Sequence, residues 1–134
     1  MILTTGIITV GAYVRKKAKI DETKSYINIL TSALQEYKNY KEANFPGYPA
    51  GNGDNMQNLF VKLNDVPNCR KILDKIPSEK LQDDDNNGVI DTVYDAWSNP
   101  MEYVNTGSGN FPTIRSAGPD ETFNTADDIT SDTL

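Results

Sequence analysis

A chain of 134 residues with a 37% hydrophobic fraction is by the usual prior one small domain, with apolar content enough for its own core. Its net charge of -6 opposes binding to a phosphate backbone, so nucleic acid is excluded as the expected partner. One cysteine and no histidine exclude an intramolecular disulfide framework and the usual zinc or copper ligand sets.

The chain opens on MILTTGIITVGAYV, Met1 to Val14, an uncharged run followed at once by Arg15-Lys16-Lys17-Ala18-Lys19. Fourteen helical residues rise about 21 Å, against roughly 30 Å of membrane hydrocarbon. The run is therefore part of a membrane helix or a buried core helix, and the first reading is preferred. A signal peptide fits poorly, because no basic region precedes the run. Ile20, Tyr26, Ile27, Leu30, Ala33, Leu34, Tyr37 and Tyr40 continue the pattern at three- and four-residue steps. This predicts one helix from about Ile2 to Tyr40, apolar all round at its start and amphipathic later, a stalk (residues 1–41) on a globular head (residues 42–134).

Phe45-Pro46-Gly47-Tyr48-Pro49-Ala50-Gly51 ends the helix, since two prolines remove donors and the glycines permit turns. Asn55 to Leu63 and Asn68 to Ile76 read as short amphipathic helices, the second stopping before Pro77. Cys69 is expected to pack, because no histidine is present to activate it. In LQDDDNNGVIDTVYD, Asp83, Asp85, Asn87, Gly88 and Asp91 match positions 1, 3, 5, 6 and 9 of an EF-hand-type loop, with the Val89 carbonyl at position 7. Position 12 is Tyr94 rather than Glu, so this stretch is either a second calcium site or a solvated acidic turn. Met101 to Val104 and Thr113 to Ser116 are strand-like and separated by turn formers, which predicts a hairpin. Pro112 is placed at a strand start, and Trp97 is expected to anchor against the long helix.

Charge concentrates at the far end. From Leu81 onward eleven acids face one base, Arg115, whereas the first eighty residues hold twelve bases and eight acids. Within SAGPDETFNTADDIT, Ser116 to Thr130, Gly118-Pro119 forces a turn, Asp120 follows, and Asp127-Asp128 return after a short polar loop. Carboxylates brought this close repel unless splayed into water or gathered on a cation. Hard oxygen ligands on an irregular loop suit Ca2+. Such a loop would be filled outside the cytosol, where calcium is millimolar.

Four segments together resemble the major pseudopilin of bacterial type II secretion systems and its relatives in the type IV pilin superfamily. They are the long helix, the Gly47-Tyr48-Pro49 turn, the block Asp95-Ala96-Trp97-Ser98-Asn99-Pro100-Met101-Glu102-Tyr103, and Ser116-Ala117-Gly118-Pro119-Asp120 running on to Thr125-Ala126-Asp127-Asp128-Ile129. The block is similar to the family's D-P-W-G-N-P-Y-x-Y, with Ala96, Ser98 and Met101 replacing Pro, Gly and Tyr. The tail is similar to S-A-G-P-D-G-x-x-G-T-x-D-D-I, with Glu121 and Asn124 where glycines are common.

The resemblance implies an α+β fold: a long N-terminal helix packed on a small head with short helices, an antiparallel hairpin or sheet and a calcium-binding C-terminal loop. It implies Asp120 and Asp128 as side-chain ligands assisted by Asp127, the Thr130 hydroxyl, and the backbone carbonyls of Ala117 and Thr122. It further implies a filament subunit anchored in the inner membrane with its head in the periplasm or cell exterior, and partnered by copies of itself and minor pseudopilins. Family members carry a basic leader ending in Gly and a Glu near the start of the apolar segment. Thr5 is not that Glu, so the chain is expected to begin partway into the segment. A calcium-dependent binding module or adhesin is the alternative, which has little use for an apolar stalk. No enzyme is expected, since paired carboxylates on so small a head leave little room for a sugar cleft and no phosphate loop is present.

Overall fold

The computed structural model describes residues 2–41, 56–83, 86, 88, 90, 92–104 and 111–133. The architecture is α+β. Among the described residues, helix α1 (Ile2–Lys41) is followed by α2 (Met56–Asn64), α3 (Pro67–Leu73), a 3-10 turn (Ser78–Lys80), five short strands and a closing 3-10 turn (Ser131–Thr133). The Gly47-Tyr48-Pro49 turn and the hairpin connection at 105–110 lie outside the described residues.

Forty residues make α1 about 60 Å long. No proline interrupts it, and its apolar positions recur at helical spacing, so one stripe is committed to the head. Thr23, Tyr26, Ile27, Leu30, Ala33 and Leu34 are buried, with Ile20 and Tyr37 packed at the margins of the same stripe. Ahead of the stripe, residues 12–19 are exposed on every side of the helix, Tyr13 and Val14 included. The Lys17 to Asp21 pair there is 3.5 Å apart and largely solvated, so it contributes little. Among the described residues no helix is long and apolar enough to cross a membrane.

α1 packs most extensively on α3 and also touches β4 and β5. Leu59, Leu63, Val66, Cys69 and Leu73 from the α2–α3 pair meet the stripe, and Ile114 and Tyr103 close the core from the sheet side. Cys69 is buried, as its lack of a partner base suggested. Its thiol donates to the Ala33 carbonyl at 3.2 Å, and burial, aided by Glu36, holds its pKa above the ordinary thiol value.

The second short helix is shorter than its apolar pattern suggests. Val66 is extended at the N-cap and Pro67 takes the first helical position, where its missing N–H is not needed. The helix stops at Leu73, and a turn through Asp74 to Ile76 leads to Pro77. Arg70 closes the preceding helix instead, since its Nε and Nη2 donate to the Asn64 carbonyl at 3.0 and 2.9 Å.

β1 (Leu81–Gln82) pairs antiparallel with β2 (Thr92–Val93) in one small sheet. β3 (Glu102–Val104), β4 (Thr113–Ser116) and β5 (Ile129–Thr130) form a second, in the order β3-β4-β5. The expected hairpin is β3–β4, with Tyr103 opposite Ile114. Pro112 precedes β4 by one residue and is buried, and Trp97 packs against the core. β5 returns beside β4 with Ser116 opposite Ile129, which fastens both ends of the 117–128 loop to one strand pair.

Candidate metal centre

The 117–128 loop closes on itself by hydrogen bonds that start from a glycine. Gly118 has φ +75°, and a Cβ there would stand 2.3 Å from the Asp127 carbonyl oxygen, so only glycine lets the two ends of the loop pass this closely. The Glu121 amide donates back to the Gly118 carbonyl at 3.0 Å, which completes the turn carrying Asp120.

Carboxylates from both ends then meet. One oxygen each from Asp120, Asp127 and Asp128 lies within 4.8 Å of the others, and the group could hold a metal ion. The Asp120 amide donates to Asp127 Oδ2 at 3.1 Å, and the Asn124 amide to Asp128 Oδ2 at 2.8 Å. The single Thr125 hydroxyl proton faces three acceptors: Asp127 Oδ1 at 2.6 Å, the Thr122 carbonyl at 3.0 Å and Asp128 Oδ1 at 3.2 Å. One proton serves one of them at a time, and a set of carboxylate and carbonyl oxygens fits a hard cation. The Thr125 hydrogen bond outweighs the opposing effect of burial and, with help from the Asp120 amide, holds the Asp127 carboxyl below its ordinary pKa. Asp127 is therefore ionised at neutral pH.

Arg115 is the cation already in place. On β4, its Nε donates to Glu102 Oε2 at 2.9 Å and its Nη2 to the same oxygen, while Nη1 reaches Asn124 Oδ1 at 3.0 Å and lies 3.9 Å from Asp128 Oδ2. Its guanidinium also stands 5.0 Å from the Phe123 ring centroid. The lone base of the acidic third thus ties β3 to the tip of the loop.

The other expected ligands lie in the same loop or on the strand that closes it. Thr122 stands two residues after Asp120, and its carbonyl accepts from Thr125. Ala117 is buried directly before Gly118. Thr130 lies on β5 opposite Arg115, with its hydroxyl 3.2 Å from that of Thr133. In the second acidic stretch, Asp83 Oδ2 accepts from the Gly88 amide at 2.7 Å. Asp85, Asn87, Val89 and Asp91 lie outside the described residues.

Sequence reasoning gave no role to Asp95, which is fully buried. Its Oδ1 accepts from the Trp97 and Asn99 amides at 2.9 and 3.0 Å, and its Oδ2 from the Ser116 hydroxyl at 2.6 Å. The spacing of Asp before Ala-Trp-Ser-Asn was a readable signal, because an aspartate commonly bonds the amide two residues on.

Three non-glycine residues of these two segments have left-handed backbones: Ser98 at φ +62°, Glu121 at +57° and Asn124 at +68°. Asparagine tolerates this conformation, but serine and glutamate pay about 1–2 kcal/mol for it. Ser98→Gly is expected to raise stability by roughly 0.5–1 kcal/mol after the larger unfolded-state entropy of glycine is subtracted. A chemical denaturation midpoint no higher than that of the parent chain would contradict the left-handed assignment.

Compared with known proteins, the chain matches no family model, no curated protein and no solved structure.

Proposed function

We propose that this chain is a structural subunit of a pseudopilin-like filament, whose head is stiffened by Ca2+ held by Asp120, Asp127 and Asp128. The observation that carries the reading is the backbone at Ser98, Glu121 and Asn124. All three are left-handed, and all three stand where the pattern that the sequence resembles has glycine. The side chains differ from that pattern while the conformation glycine would serve is kept. Convergence of the three aspartates supports the same reading, since the resemblance implies an ion at this loop.

In this reading the protein does no chemistry. The partly apolar start of α1 anchors the subunit in the inner membrane and bundles with copies of itself and minor relatives, and the head faces the periplasm or cell exterior.

The ion is tested by thermal unfolding at millimolar calcium and in chelator. A ligand that binds only the folded state at a hundredfold excess over its Kd adds about 2.7 kcal/mol, so the melting temperature should rise by roughly 5–15 °C. Asp128→Ala should abolish the rise. An unchanged melting temperature in the parent chain overturns the calcium site. The filament reading is tested on the coding sequence upstream of Met1: a basic leader ending in Gly, with a Glu shortly after it, is expected, and its absence overturns assembly.

A further inference from the structure

We infer that buried Asp95 is a positioning residue that couples an ion in the 117–128 loop to the docking of the head on α1. The inference rests on the metal reading above and assigns Asp95 no contact with the ion.

Asp95 is satisfied by neutral donors. Both its oxygens are engaged by the Trp97 and Asn99 amides and the Ser116 hydroxyl, and among the described residues no buried side-chain polar atom lacks a partner. From this carboxylate two arms reach the loop. Ser116 spends its one proton on Asp95, so its oxygen must act as acceptor elsewhere, and it takes the Gly118 amide at 3.1 Å. Asn99, held through its amide by Asp95, donates its side-chain Nδ2 to Glu121 Oε1 at 2.7 Å. The arms grip Gly118 and Glu121, the residues on either side of Pro119-Asp120, so the position of Asp120 is set from Asp95.

A third arm reaches the helix. The Ala96 amide, next in the chain, donates to Thr23 Oγ1 at 3.1 Å, and Thr23 is fully buried in the α1 stripe. A bound cation that fixes Asp120 therefore also favours the arrangement in which Ala96 is seated on Thr23. By reciprocity, loosening that seat must weaken the ion.

Asp95→Asn keeps the shape but replaces one acceptor oxygen with a donor. The amide cannot then serve both the backbone N–H pair and the Ser116 proton, so the Ser116 hydroxyl or the 95–99 turn must reorient. Thr23→Val removes the helix arm alone and leaves Asp95 and both loop arms intact.

The test is calcium titration calorimetry on the full chain, with melting temperatures in parallel. Parent-chain affinity is expected to fall about tenfold in Asp95→Asn and by a smaller factor, about threefold, in Thr23→Val. If Asp95 matters only to packing, the variants melt lower with unchanged calcium Kd, and the coupling is overturned while the metal site stands. No calcium binding by the parent chain overturns both. Should Asp95→Asn fail to fold, Thr23→Val decides the matter: a Kd equal to the parent's overturns the coupling, and a weakened one supports it.

Discussion

Gly118→Ala is expected to lower stability by about 3 kcal/mol and to abolish the response to calcium. A left-handed alanine costs about 1–2 kcal/mol. The new methyl would also sit 2.3 Å from the Asp127 carbonyl oxygen and 3.1 Å from its carbon, and both are backbone atoms that cannot rotate away. Relief requires the 127–128 segment to lift, which separates Asp127 and Asp128 from Asp120. Thermal unfolding with calcium and with chelator reads both effects. A variant with the parent melting temperature would mean that the loop ends do not cross at Gly118.

Leu30→Ala should cost about 2–5 kcal/mol, the range for emptying a fully buried leucine site. Leu30 sits centrally in the α1 stripe, with Ile27 and Leu34 a turn away on either side. Ser32, exposed on the opposite side of the same helix, is the control, and Ser32→Ala should change the unfolding free energy by no more than about 0.5 kcal/mol. A loss at Leu30 no larger than at Ser32 would show that the head does not draw its core from α1.

How much of this was legible follows from the length scale of each feature. α1 was readable because eight apolar positions repeat at helical steps over twenty-one residues, Ile20 to Tyr40, without a proline. The β3–β4 hairpin was readable because its strands are flanked by turn formers. β1, β2 and β5 were missed because two residues carry no periodicity, and Leu81–Gln82 is followed directly by an acidic run. The return of Asp127 and Asp128 to Asp120 was anticipated from the Gly118-Pro119 turn and a short loop. The buried role of Asp95 was not, because Thr23 and Ser116 lie 72 and 21 positions away and no local pattern links them. Ser98, Glu121 and Asn124 were visible only as departures from a glycine pattern, and their backbone angles explain why glycine suits those places.

The direction of the α1 stripe has a mechanical consequence. From Thr23 to Leu34 the buried positions run along the helix axis for roughly 17 Å, rather than lying at one end of it. A tug on the exposed residues 12–19 therefore loads Thr23, Ile27, Leu30 and Leu34 in shear, all at once, instead of peeling them apart in sequence. Such a joint resists lengthwise force far better than sideways force, and the head would sooner follow the helix than slide off it.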